Sequence, residues 1–189
     1  ILVDNVRGID ESESKYIRSS NNLAELTSTN MPSSLEANGF FIQGGSASTN
    51  NLNQSYVAWT WKAGGDSVSN TNGDLTSQVS ANTNAGFSIV KYTGESAIRS
   101  VGHGLISAPE LIFVKSLDNA YDWRVFSSAL GNTKYLELNT SDGQATDLNA
   151  WGSTDPDSQT FTIGNSDQTA DSHDFIAYCW HSVNGYSKI

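Results

Sequence analysis

The stretch Asp174-Phe175-Ile176-Ala177-Tyr178-Cys179-Trp180-His181 is apolar on both of its alternating sides. Successive side chains of a β-strand point to opposite faces of the sheet. A strand with one face in water would alternate apolar and polar residues, whereas this one is apolar at odd and even positions alike. The pattern therefore predicts a central strand that is covered on both sides, with Tyr178 and Trp180 in the core.

A similar stretch occurs earlier in the chain and belongs to a series of matches. The first and last pairs of the series share one offset, and the three pairs in chain order are Ser14–Ile17 with Thr133–Leu136, Phe40–Ile42 with Phe161–Ile163, and Tyr56–Trp61 with Phe175–Trp180. Matches in the same order indicate two copies of one β-module. By this interpretation Tyr16, Tyr135, Trp59 and Trp61 are also structural core residues.

Short apolar or β-branched runs between polar turns extend this prediction to the rest of the chain. The predicted strands are Ile1–Val6, Lys15–Ser19, Gly39–Gln43, Ser55–Lys62, Gly86–Tyr92, Glu110–Lys115, Trp123–Ser127, Lys134–Leu138, Thr160–Gly164 and Asp174–His181. Many short strands joined by Gly, Asn, Ser and Asp turns are typical of a sandwich. We expect an all-β fold, an antiparallel β-sandwich of jelly-roll type, built from duplicated modules.

The polar run after the first aromatic stretch suggests a division into two modules. Residues 66–85 are rich in Ser, Asn, Thr and Gly, a composition that predicts a linker. Residues 1–65 would then be the C-terminal part of a first β-module, and residues 86–189 a complete second one. The first part would need contacts with a neighbour to hold its sheet together.

Charge and composition exclude several classes of partner. The net charge is −10, and nucleic-acid binding needs a clustered basic surface, so we expect no nucleic acid as partner. No run of about 18 apolar residues occurs, so we expect no membrane insertion. Cys179 is the only cysteine and lies in an apolar run, where a thiol acts as a small hydrophobic group.

The second copy carries a distinctive series of motifs. In chain order these are Phe87–Gly94, Gly102–Leu105, Ala108–Lys115, Trp123, Lys134–Leu136, Phe161–Gly164, Ile176–Trp180 and Gly185–Lys188. The series resembles a repeated all-β domain of unknown function found in structural proteins of marine tailed phages, especially tail-fibre or appendage proteins of cyanophage-like viruses. Tyr56–Gly65 and Val6–Gly8 of the first copy match the same pattern. The resemblance implies a non-enzymatic role in the virion, and it supplies no binding residues.

The histidines and loop acids offer few metal ligands. His103 lies between two glycines and fits a turn residue better than a ligand. His173, His181 and Cys179 lack the spacing of a zinc site. Asp167 and Asp171 are weak calcium candidates in an oxygen-rich loop. We expect no cofactor.

Asp155 and Asp157 raise the question of glycoside hydrolysis, which uses two carboxylates. Nothing in the sequence sets two acids at the separation that this reaction needs. No nucleophile elbow or phosphate-binding loop occurs either. We therefore expect no enzyme activity and no catalytic residue.

Loop aromatics could stack on sugar rings. Trp151 is the main candidate because Asn149–Ser153 reads as a loop, and Trp123 and Tyr121 come next. The alternative is that each ring closes one end of a sandwich.

Together these features predict a structural module of a tailed-phage virion, as part of a fibre, an appendage or a capsid decoration. It would act in host-surface attachment or virion assembly, at the virion surface. The expected partners are other virion proteins or copies of the chain itself in a homo-oligomer, with a host cell-surface glycan as a further candidate. The alternative function is a carbohydrate-binding module of a secreted bacterial protein.

Overall fold

The computed structural model describes residues 1–42, 44–46 and 48–189. Its strands are β1 (Ser14–Tyr16), β2 (Leu26–Ser28), β3 (Pro32–Glu36), β4 (Gly39–Ile42), β5 (Val68–Asn70), β6 (Ser77–Asn82), β7 (Phe87–Thr93), β8 (Arg99–Gly102), β9 (Leu111–Ser116), β10 (Arg124–Ser127), β11 (Lys134–Glu137), β12 (Ala145–Thr146), β13 (Thr160–Ile163) and β14 (Asp174–Trp180). A single helical turn, α1 (Asp167–Ala170), precedes β14.

An eight-stranded antiparallel sheet organises the molecule, in the order β12-β11-β10-β9-β14-β7-β6-β5. Strand β14 lies at its centre and pairs with β7 on one side and with β9 on the other. Trp180 stands opposite Phe87 of β7 and Leu111 of β9. The apolar residues on both sides of β14 are thus explained, because both of its faces lie in a core.

One face of this sheet is covered by a two-stranded ribbon of β8 and β13. Phe161 and Ile163 of β13 pack with Tyr92 and Phe175 of the sheet in the larger core cluster. The rings of Tyr92 and Phe161 meet edge to face, with centroids 6.1 Å apart. This second layer makes the fold a sandwich and confirms the predicted all-β class.

The opposite face is covered by the N-terminal segment. Leu2, Val6 and Ile17 pack against a second core cluster that includes Trp123 and Tyr178. Backbone hydrogen bonds in both directions join Leu2 and Ile17, so this segment is folded back on itself. Hairpins β1–β2 and β3–β4 form two separate small sheets.

The prediction of a linker over residues 66–85 is wrong, because this stretch contains two strands of the main sheet. It forms β5 and β6, and β6 pairs with β7 along its whole length. Ser77 and Val79 are buried and Gln78 is exposed, while Ser80, on the same side as Gln78, is buried where its hydroxyl donates to the carbonyl of Gly65. The Ser, Gln and Asn content of β6 resembles that of a turn, which is why composition alone misassigned it.

Two predicted strands are absent from the described residues. Residues 1–6 make only an isolated bridge at Leu2, and residues 55–62 form no strand. The position between β7 and β9, which a copy of the β14 sequence would occupy, is taken by β14 itself. Gln43, the last residue of the predicted strand from Gly39, lies outside the described residues.

Candidate functional site

Trp151 is a core residue and not an exposed ring for sugar stacking. Its side chain is buried, and its ring meets Phe126 edge to face with centroids 5.6 Å apart. The indole N–H donates to the carbonyl oxygen of Lys134 at 3.0 Å. The polar edge of the indole is therefore satisfied inside the protein, and the predicted ligand contact is wrong.

Trp123 and Tyr121 are the other two predicted sugar-stacking residues, and neither ring is fully exposed. Trp123 is fully buried, stacks near Tyr178 with centroids 6.4 Å apart, and donates its indole N–H to the carbonyl of Arg18 at 2.9 Å. Tyr121 is half-buried, and its hydroxyl donates to Asp171 at 3.3 Å. Trp123 instead joins the sheet to the N-terminal segment.

The loop carboxylates of Asp155 and Asp157 accept hydrogen bonds from neighbouring loop residues. Asp157 accepts the backbone N–H groups of Gln159 and Thr160, each at 2.7 Å, and these bonds hold its pKa below the usual range. Asp155 accepts the side-chain amide of Asn132 at 2.9 Å. These contacts fix loop geometry, as Asp side chains commonly do in turns.

The weak calcium candidates lie at the two ends of α1. Asp171 accepts the N–H of Ser172 at 2.8 Å, which lowers its pKa, and Asp167 opens the helical turn. Within residues 1–42, 44–46 and 48–189, no three His, Cys, Asp or Glu side chains lie close enough together to hold a metal ion.

His103 has a structural place in its turn. Its ring is buried, Leu105 donates its N–H to Nδ1 at 3.1 Å, and Nε2 lies 3.1 Å from the carbonyl oxygen of Asp157. Since Nδ1 accepts, Nε2 must carry the proton and donate. Burial lowers the pKa of this ring, which favours the neutral form that both bonds require.

The most unusual surface of the molecule is the exposed segment, which we define as Asn51–Lys62. Every residue in it is exposed. Val57 is 82% exposed, Trp59 81% and Trp61 57%, so the two tryptophans predicted as core residues lie at the surface. Large apolar groups that adjoin each other at a surface mark an interaction site more often than single ones do.

The end of the exposed segment is anchored to the sheet. The carbonyl of Lys62 accepts the side-chain amide of Asn82 at 3.0 Å, and that of Gly65 accepts the Ser80 hydroxyl at 2.6 Å. A side chain at Gly64 would collide with the backbone of Ala81, so only glycine allows this close approach. The segment thus leaves from a fixed point beside β6.

Trp61 contacts the aromatic residues at the same end of the sheet. Its ring centroid lies 6.5 Å from that of Phe87 and 6.3 Å from that of Trp180. Trp180 in turn meets Phe113 at 5.0 Å. The exposed segment therefore continues from a partly buried aromatic cluster out to the surface.

The central part of the segment has an unpaired backbone. From Val57 to Trp61 it makes no hydrogen bond to any other part of the described chain. Such a backbone offers the unpaired donors and acceptors of an edge strand.

The surroundings of the segment also differ from the rest of the chain in charge. The protein has 20 Asp and Glu residues among 189, yet none occurs between Glu36 and Asp66. Lys62 is the only charged residue in that interval. The exposed segment is thus free of the acidic charge that dominates elsewhere.

Comparison with known families gives one match. The sequence profile of a family described as domain of unknown function (DUF7483) matches residues 1–189. This chain belongs to that family. No curated protein and no solved structure matches the DUF7483 chain. Within its described residues, no helix is long and apolar enough to cross a membrane.

The DUF7483 chain also contains a buried polar cluster, the N-terminal clasp, which we define as Asp4, Arg7, Glu25 and Tyr178. Arg7 donates to Asp4 at 2.6 Å and lies 3.4 Å from Glu25. The Tyr178 hydroxyl donates to Asp4 Oδ2 at 2.7 Å, and the same oxygen accepts from Arg7 Nε. The clasp fastens the N-terminal segment onto β14.

Sequence reasoning missed the clasp in this DUF7483 chain because its members are far apart along the chain. Asp4 and Arg7 are spaced as ordinary turn residues, and Asp4 accepts the backbone N–H of Val6 at 3.1 Å. The aromatic ring of Tyr178 predicts a core position and gives no sign of a hydrogen bond to Asp4. A buried charge needs a partner, and only the fold brings these together.

Proposed function

We propose that this DUF7483 chain is a non-enzymatic structural module of a tailed-phage virion, in a fibre, an appendage or a capsid decoration. It would serve virion assembly or host-surface attachment from the virion surface. The family description itself assigns no function. The motif series from Phe87 to Lys188 supports the phage context through its resemblance to tail-fibre and appendage proteins.

The observation that carries the proposal is the exposed segment. A module that worked alone would gain by burying Val57, Trp59 and Trp61, since each buried apolar side chain contributes about 1.5–3 kcal/mol. Leaving them at the surface next to a well-packed sandwich suits a part that meets another protein. The proposed partners are other virion proteins or further copies of the chain.

The chemistry of the loops agrees with a non-enzymatic role. The carboxylates that raised glycoside hydrolysis, Asp155 and Asp157, each accept hydrogen bonds from their own or a neighbouring loop. A general acid for that reaction needs a raised pKa, whereas the pKa of Asp157 is lowered. These residues therefore suit turn formation better than proton transfer.

The experiment is immunogold labelling of virions from a marine phage that encodes this sequence. Antibody against the purified chain should label one defined location on each particle. A matched phage lacking the sequence serves as the control. Absence of label on every intact and disrupted particle would contradict the proposal.

Carbohydrate binding remains the second proposal, now through a different residue. Trp59 offers the open indole face that Trp151 does not. On a glycan array, Trp59→Ser should abolish binding by a lectin-like module while Trp151→Phe should retain it. Binding to no glycan by the unaltered protein would remove this alternative.

A further inference from the structure

We propose that the exposed segment is a homodimerisation strand: two copies of this chain pair their Val57–Trp61 backbones in antiparallel fashion about a twofold axis near Trp59. The inference deepens the proposed assembly role and rests on it, because it names the partner and the surface. The family assignment by itself says nothing of oligomeric state.

The first argument is that the segment already has the character of a paired strand. Its sequence matches β14, which pairs on both sides in the same molecule. A strand of this composition, with aromatic and small side chains in alternation, pairs on both edges in β14. Here the backbone of Val57–Trp61 makes no hydrogen bond to the rest of the described chain, and an unpaired backbone of this kind commonly gains a partner by addition of another chain.

The second argument is that the segment is complementary to itself. A twofold axis at Trp59 places Ala58 opposite the Thr60 of the other copy and Val57 opposite its Trp61. Small residues then face small ones and apolar residues face apolar ones. The two Trp59 rings meet across the axis, and aromatic cross-strand pairs stabilise antiparallel strands. A twofold interface of this kind closes without forming a fibre.

The third argument is electrostatic. Two chains that each carry a net charge of −10 repel each other over most orientations. The interval between Glu36 and Asp66 has no acidic residue, so the paired residues themselves add no carboxylate to the contact. Charge therefore disfavours other modes of self-association more than this one.

The area available fits a weak, reversible contact. Within the paired stretch, Val57, Trp59 and Trp61 are all more than half exposed. If each aromatic buries on the order of 150 Å² and the aliphatic side chain on the order of 100 Å², the contact removes on the order of 400 Å² per copy. The total of about 800 Å² lies in the range of transient interfaces.

The test is sedimentation velocity of the full chain from about 1 to 200 µM. We expect a reversible monomer–dimer equilibrium. The variant Trp59→Ser/Trp61→Ser should raise the dimer Kd at least tenfold while keeping the near-ultraviolet circular dichroism of the folded sandwich. The matched control is Ile106→Ser/Leu148→Ser, which removes two exposed apolar residues elsewhere and should leave the Kd unchanged.

A peptide experiment separates strand pairing from packing of side chains. A synthetic peptide of residues 53–64 should dissociate the dimer, and the same peptide N-methylated at Ala58 and Trp59 should not. Neighbouring N–H groups point to opposite edges of a strand, so the two methyl groups block pairing on both edges while keeping every side chain.

Three results would overturn the inference: a monomer at every concentration, a Trp59→Ser/Trp61→Ser variant that dimerises like the unaltered chain, or equal competition by the methylated peptide. None of these would remove immunogold label from virions. Failure of this inference is therefore distinguishable from failure of the proposed function.

Discussion

Trp61 and Trp180 end the two matching sequence motifs, and in the structure their rings contact each other, with centroids 6.3 Å apart at 70°. Trp180 closes the central strand β14, whereas Trp61 is 57% exposed and belongs to no strand. Two residues that the sequence presents as equivalents thus occupy different environments at one end of a single sheet. The stability effects of the two should differ accordingly.

We expect Trp180→Ala to destabilise the monomer by about 3 kcal/mol, since the ring packs against Phe87, Phe113 and Tyr178. Trp61→Ala should cost less than about 1 kcal/mol because much of its ring is already in water. Urea unfolding at a concentration where the chain is monomeric measures both. Equal losses for the two variants would show that Trp61 is a core residue after all.

Removal of the Asp4 carboxylate should be among the most damaging changes at the N-terminal clasp. Asp4→Ala leaves the buried guanidinium of Arg7 without its closest partner and should destabilise the protein by about 3–5 kcal/mol. Lys15→Ala is the control, because its pair with Glu25 is partly exposed on the lysine side and should contribute less than about 1 kcal/mol. Thermal unfolding checks the pair, and a small loss for Asp4→Ala contradicts a role for the clasp.

Trp151→Ala should behave as a core truncation and cost about 3–5 kcal/mol. Trp151→Phe keeps an aromatic ring but loses the hydrogen bond to the carbonyl of Lys134, so it should be milder. Chemical denaturation of both variants is the measurement, with Trp59→Ala as an exposed tryptophan for comparison. A Trp151→Ala protein as stable as the unaltered chain would restore the surface interpretation.

The buried amine of Lys115 should make the free energy of unfolding increase with pH above about 8. Its side chain is buried, and burial lowers the pKa to about 8, with Asp122 acting in the opposite direction. The unfolded lysine keeps its proton up to a pKa of about 10.4. Between these values the unfolded state binds more protons, so the free energy of unfolding increases with pH, by at most about 3 kcal/mol from this group.

The measurement for Lys115 is the free energy of unfolding of the protein and of Lys115→Met between pH 7 and 10. The difference between the two should change in favour of the unaltered chain as pH rises. Lys115→Met also leaves the carbonyls of Ser116 and Asn119 without their Nζ donor, which gives a constant offset and no slope. Parallel curves for the two proteins would mean that the Lys115 amine titrates normally.

The local pattern of apolar residues predicts a strand correctly where the strand is rich in apolar or β-branched residues. Strands β7, β9, β10, β11, β13 and β14 appear close to their predicted positions. Strands β5 and β6 were missed because polar residues make up most of them, and a strand with one face in water needs few apolar ones. The choice between linker and strand depended on pairing with β7, which composition does not encode.

Site prediction was less successful, and tryptophan shows why. Trp151 stands in a Gly- and Ser-flanked run and reads as a loop residue, yet that loop folds over the larger core cluster. Trp59 and Trp61 read as core residues because their motif copies β14. Whether a residue is buried depends on which other elements pack over it, and the sequence around that residue does not specify those elements.

The amino-acid sequence by itself determined the all-β class, the central position of β14 and the acidic net charge. These features depend only on composition and on the order of apolar and polar residues within short stretches. Only the tertiary structure decided which of the two similar motifs enters the sheet. The slot between β7 and β9 accepts one strand, β14 fills it, and the other motif is left at the surface. The clasp between Asp4 and Tyr178 has the same origin, since residues distant along the chain meet only once the sheet is built.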